Sequence, residues 1–171
     1  MNLYDQSVAT YRSRLNTLSG LLTKAAEHTD GDALLQAHLA EDMLPLAAQI
    51  RFLSNIPGEA LSRLGACAFI SDDDELTSFA EAQARVTQMT ELLDGCTAAD
   101  LPSPETRVEF SIGDGAYNFE ISAEEYVREF SLPNFYFHLT IVYAILRMKG
   151  LEIGKADFIP HMMRYFKAPA S

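Results

Sequence analysis

Tryptophan is absent from this sequence, cysteine occurs only as Cys67 and Cys96, and histidine occurs four times. Each scarcity removes a class of protein. Two cysteines in unrelated contexts, without CxxC spacing, form neither a disulfide framework nor a zinc-finger pattern, so a reducing, cytoplasmic setting is expected. Neither has a histidine or cation beside it in sequence to mark a thiolate nucleophile, so both are expected to be structural. The histidines, His28, His38, His138 and His161, include no HExxH and no HxxxH pair, the strongest helical zinc patterns. Basic residues are also few, 13 against 24 acidic, for a net charge of -11. Phosphate backbones are bound chiefly through Lys and Arg, so nucleic acid is not expected as a partner, and anionic membranes are disfavoured by the same sign. The most apolar stretch, Leu132 to Met148, falls short of the roughly 20 apolar residues of a membrane span. It also carries His138, Thr140 and Arg147, and reads as a core helix. Met1 to Val8 lacks the basic and apolar regions of a signal peptide.

What is present suffices for one domain over residues 1–171. The chain is 48% hydrophobic with a mean hydropathy of -0.02, which excludes a mostly disordered chain. A domain of this size buries roughly 70% of its unfolded surface, so the fold needs no metal or disulfide to hold it.

Tyr4, Val8, Tyr11, Leu15, Leu18 and Leu22 recur at steps of four and three, predicting an amphipathic helix that stops near Thr29-Asp30-Gly31. Leu34, Leu35 and Leu39 predict a short helical piece. Met43, Leu46, Ile50, Leu53, Ala60, Leu61 and Leu64 predict a second long helix. The apolar phase persists across Pro57-Gly58, which favours one kinked helix over two. Ser71 followed by Asp72, Asp73, Asp74 and Glu75 reads as the start of a third helix ending at Gly95, its oxygens and charges satisfying free amides. The acid run lacks the glycine and terminal glutamate of a calcium loop. Val108, Phe110 and Ile112, then Tyr117, Phe119 and Ile121 across Gly113-Asp114-Gly115, alternate as a β-hairpin with one buried face. Ser122-Ala-Glu-Glu125 is a capping box for a short helix ended by Pro133, and from Asn134 a strongly apolar helix runs to Met148 and Gly150. The apolar residues after Gly150 imply a tail docked on the bundle or on a second subunit. The fold class expected is therefore mainly α: an up-and-down four-helix bundle with a β-hairpin inserted before the last long helix.

His138 is the most informative polar residue, because it shares the face of Phe135, Val142 and Ile145 and must find a partner there. It reads either as a buried histidine bonded to a carboxylate or carbonyl, or as a ligand or acid-base group. His38 and Asp42 share a face if a helix runs through them, and together suit a divalent metal; Asp42, three residues before Pro45, equally suits a helix cap. Tyr136, Thr140, Tyr143 and Arg147 form a second stripe on the last helix, suited to an anionic ligand or to packing at the bundle surface or a subunit interface.

The phrases LAEDMLPLAAQIRF (Leu39 to Phe52) and LPNFYFHLTIVYAILRMKGLEIGKADFI (Leu132 to Ile159) resemble those of a bacterial family of uncharacterised proteins, a domain of unknown function grouped with the DinB/YfiT-like putative metalloenzymes. The similarity covers nearly the whole chain. It implies a four-helix bundle, often dimeric, in which many relatives bind zinc or nickel through three histidines and some are thiol-dependent transferases or isomerases. In those relatives one histidine comes from the second helix and two, spaced HxxxH, from the last. Here His138 matches the first of that pair, Val142 stands in place of the second, and the second long helix has no histidine. The expected site is His138 with Asp42 and His38 as metal ligands, bordered by Asn134 and Tyr143 as ligand-binding residues. Three readings follow: a small-ligand-binding or degenerate-site bundle, a metal-dependent transferase or isomerase, and a structural protein that forms homodimers.

Overall fold

The computed structural model describes residues 2–167. A short helix, α1 (Leu3–Gln6), is capped by Asn2 and gives way at Ser7 to α2 (Val8–Ala26), which buries Val8, Tyr11, Leu15, Leu18 and Leu22 as the spacing predicts. A 3-10 turn over Gly31–Gln36 buries Leu34 and Leu35, while Leu39 beyond it stays exposed.

The second long helix, α3 (Leu46–Arg63), runs unbroken through Pro57, so the phase kept across that proline is one helix. Its start corrects the capping expectation. Asp42 lies outside the helix, in a non-helical approach, and makes no cap. Pro45 stands at the N-cap with no side-chain cap, and the free Leu46 amide is satisfied by the Ala37 carbonyl at 2.9 Å.

The acid run is also not a helix start. Residues 67–78 are not helical, and α4 (Phe79–Asp94) begins after Ser78, whose hydroxyl accepts from the Glu81 amide at 3.1 Å. The Glu81 carboxylate returns to the Thr77 amide at 2.8 Å. The acids are claimed instead by cations on neighbouring helices: Asp72 pairs with Arg85 at 3.1 Å and Asp73 with Arg51 at 2.9 Å. Asn55, buried on α3, brackets the Asp72 backbone, donating to its carbonyl and accepting from its amide at 2.9 and 3.2 Å.

These ties set helix direction. The crossover runs back along α3, from Phe69 beside Gly58, past Asp72 at Asn55, to Asp73 at Arg51. α4 therefore starts beside the beginning of α3, with the Phe79 amide on Asp32 at 2.8 Å, and runs parallel to it. Against α2 it is antiparallel, Gln83 meeting Ser19 and Asp94 meeting Arg12. The four-helix bundle is present, but the long crossover replaces strict up-and-down alternation with up, down, down, up.

The hairpin of β1 (Arg107–Ile112) and β2 (Tyr117–Ser122) pairs Val108 with Ile121 and Phe110 with Phe119. Val108 and Phe110 of β1 are buried and Ile121 of β2 packs partly buried against the core, while Tyr117 and Phe119 on β2 are exposed. Ser122 and Glu125 form the predicted capping box of α5 (Ala123–Glu125). Pro133 does not end the helical path. A π turn over Tyr126–Ser131 leads directly into α6 (Leu132–Met148), with Pro133 in its first turn, the wider turn absorbing the amide that proline lacks. At the far end Gly150 takes φ +93, and the Leu151 amide reaches back to the Leu146 carbonyl at 3.1 Å, a Schellman closure. Leu151 and Ile153 are buried, followed by α7 (Lys155–Phe158) and a 3-10 turn over Pro160–Tyr165 that leaves Met162, Met163, Tyr165 and Phe166 exposed. Among the described residues no helix is long and apolar enough to cross a membrane.

Gly58 gives a test of the crossover. A Cβ there would meet the root of the Phe69 ring at 2.6 Å. Gly58→Ala is expected to destabilise the protein by ~1–3 kcal/mol in urea unfolding, despite the better helix propensity of alanine.

Candidate functional site

α3 and α6 pack antiparallel and bring two polar side chains face to face in the core. Gln49, 2% exposed, sits on the apolar stripe of α3; His138, 9% exposed, sits one turn into α6. His138 Nδ1 and Gln49 Oε1 are 2.7 Å apart. The other end of the amide, Nε2, donates to the Leu44 carbonyl at 3.2 Å.

This chain of contacts fixes the protons. A backbone carbonyl can only accept, so the Gln49 group facing Leu44 must be the amide NH2. The group facing His138 is then the carbonyl oxygen, and Nδ1 must carry a hydrogen to donate to it. Burial pushes the His138 pKa down from 6.5 to about 4, so near neutral pH the ring holds a single proton, which is the one on Nδ1. Nε2 is left with a bare lone pair, and among the described residues no group hydrogen-bonds to it. Phe52, one turn after Gln49, stacks on the imidazole at 4.7 Å and 18°, and Phe137 meets it edge-on at 5.3 Å. Arg51 lies over the outer face of Phe52 at 5.2 Å. The arrangement presents one neutral acceptor nitrogen between aromatic walls.

The other expected site residues do not join it. His38 is exposed and its Nδ1 contacts the Met43 carbonyl at 2.6 Å; Asp42 is exposed on the same non-helical segment. Among the described residues no three His, Cys, Asp or Glu side chains form a group that could hold a metal ion. Val142, four residues after His138, is fully buried. Gln49 occupies the position on α3 that faces His138 and takes up its Nδ1. Among the described residues His38, Asp42 and His138 are not brought together into one group. Asn134 stands one turn before His138 on the same side of α6 and is half-buried. Tyr143 points elsewhere, its ring edge-on to Phe158 of α7 at 5.6 Å. Two more of its stripe are engaged within the molecule: the Tyr136 hydroxyl accepts from Arg14 Nε at 2.9 Å, and Arg147 donates to the Leu151 carbonyl at 3.1 Å; Thr140 is exposed. Cys67 and Cys96 are free and half-buried, and burial raises both thiols above their ordinary value.

Gln49 and Phe52 were missed by sequence reasoning. The available signal was a glutamine between Leu46 and Ile50, a polar group in the middle of a core stripe.

The family model of a domain of unknown function, DUF1993, matches residues 3–159. The chain belongs to that family. The DUF1993 chain is also similar to a solved structure, a DinB family member protein from Shewanella denitrificans at 1.83 Å resolution. The two are 28% identical with a TM-score of 0.79, over 99% of this chain and 94% of that one. No curated protein matches the sequence. This DUF1993 protein thus has a DinB-like fold, and the helix pair that carries His138 and Gln49 is part of it.

Proposed function

We propose that this DUF1993 protein is a small-ligand-binding bundle whose site has been reduced to a single neutral imidazole and does not operate as a metal-dependent transferase or isomerase. The observation that carries the reading is the bond between His138 Nδ1 and Gln49 Oε1. It directs one lone pair, on Nε2, into an aromatic setting suited to a neutral hydrogen-bond donor, and it puts an amide where a metal site would need a further basic ligand. Asn134 borders this position and adds a polar contact for the ligand; the homodimer that the family resemblance implies is part of the same reading.

The test is equilibrium dialysis of the untagged protein against zinc and nickel, beside a titration with phenol as a neutral donor probe followed at the His138 resonance. The expected outcome is no stoichiometric metal at micromolar concentration and a saturable response to phenol that is lost in His138→Gln. One equivalent of tightly held zinc or nickel, lost in His138→Ala, would overturn the reading in favour of a metalloenzyme. Sedimentation reads the oligomeric state in the same samples.

A further inference from the structure

The groove between α2 and the C-terminal 3-10 turn has a charge pattern at odds with the rest of the chain. With 24 acidic residues against 13 basic ones, most arginines find a carboxylate: Arg12, Arg51, Arg63, Arg85, Arg107 and Arg128 all do. Among the described residues Arg14, Arg147 and Arg164 have no acid within ion-pair distance, and Arg147 is taken up by the Leu151 carbonyl at 3.1 Å. Arg14 donates through Nε to the Tyr136 hydroxyl, and its two Nη groups face the ring of His161, one Nη–Nε2 separation being 3.1 Å. Arg164 lies over the Tyr165 ring at 4.6 Å.

His161 and Arg164 line an open pocket with Tyr4, Arg12, Ser13 and Asn16. The charged groups around it are Arg12, neutralised by Asp94 of α4 at 2.7 Å, and the unneutralised Arg14 and Arg164; farther along α2, Lys24 is matched to Asp157 of α7. The remaining titratable groups lining the pocket are the Tyr4 hydroxyl and His161 itself, with the Tyr136 hydroxyl behind them on Arg14. A guanidinium can only donate, so the His161 ring must stay neutral while it faces Arg14 alone. Its pKa is held below the ordinary value, first by desolvation and then by the charges of Arg14 and Arg164. Two uncompensated guanidiniums, a histidine that an added negative charge would protonate, and the side chains of Ser13 and Asn16 form a complement to an anion.

We propose that this groove binds a small oxyanion, a carboxylate or a phosphate group, contacted by Arg164 and His161 with Arg14 supplying charge behind the imidazole. The site lies on a different side of α6 from His138, since Tyr136 and His138 are two residues apart on one helix, and it stands or falls independently of the function proposed above. Both ring nitrogens of His161 face Arg14 donors, so binding turns the ring from Arg14 to the anion as it takes up a proton, and affinity rises as pH falls through the His161 pKa.

The experiment is an NMR titration of the full chain at constant ionic strength in chloride, following the His161 imidazole, with inorganic phosphate in one arm and acetate in the other. The expected result is a saturable shift toward the imidazolium form, weakened about tenfold or more in Arg164→Gln and again in Arg14→Gln, as for loss of a charge-assisted bond. His28, outside the groove, serves as the control for bulk salt effects. Saturation by both anions assigns a carboxylate-tolerant site, and saturation by phosphate alone assigns a phosphoryl group. A response that does not saturate with either anion, or one that survives unchanged in both variants, would overturn the proposal.

Discussion

On acidification from pH 7 to pH 4, His138 alone is expected to remove roughly 3 kcal/mol of folding stability. Its pKa is about 4 in the folded protein against an ordinary 6.5, the depression being caused by burial. Between those values the unfolded chain binds a proton that the folded chain refuses, so stability falls as the pH drops through that window and levels off below the folded value. Several carboxylates with lowered pKa, Glu81, Asp100, Glu105, Glu125 and Asp157, also lose stabilisation in acid, but they act on both sides of a comparison with His138→Gln. Glutamine at 138 does not titrate and retains an N–H for Gln49. Denaturant unfolding of the two proteins across this range should converge toward acid, with the wild type steeper between pH 6.5 and pH 4. Parallel curves would show that the imidazole is not desolvated as described.

The largest loss from a single side chain is expected at Phe135. It is fully buried on α6 and meets Tyr11 of α2 edge-on at 5.4 Å, while the Tyr11 hydroxyl is bonded to Ser131 at 2.6 Å. Phe135→Ala would open a cavity where the first and last long helices meet and loosen the buried hydroxyl pair beside it. A cost of ~3–5 kcal/mol is expected, a large part of the stability of a domain this size. Phe135→Leu, which keeps most of the volume, should lose far less. Equal losses would mean that the aromatic contact, rather than the filled space, holds these helices together.

The strongly periodic elements were legible in the sequence. The stripe from Val8 to Leu22, the phase kept across Pro57, the hairpin pairing around Gly113-Asp114-Gly115 and the Ser122–Glu125 box became the structures their spacing implies, while Ser7 splits Tyr4 off into α1 and the β2 aromatics stay exposed. Misreadings arose where a local signal competed with a distant partner. Asp72 and Asp73 look like helix-capping acids only until Arg85 and Arg51 claim them, and those arginines are 13 and 22 residues away in sequence. The direction of α4 follows from the same contacts and could not be read locally. At the site, His138 was recognisable because an imidazole on an apolar face must be satisfied. Gln49 was not, because an amide carries no signature of its own until the packing of α3 on α6 sets it opposite the ring. Placing His38 and Asp42 on one face relied on a helix continuing through residues 38–42, where the chain is not helical.

The tautomer of His138 is read most directly from the nitrogen-15 NMR spectrum of its imidazole at pH 7. A neutral ring with its proton on Nδ1 and a bare Nε2 is expected, moving to the opposite or a mixed tautomer in Gln49→Leu. A proton on Nε2, or a charged ring at that pH, would mean that the Gln49 carbonyl does not set the proton on Nδ1.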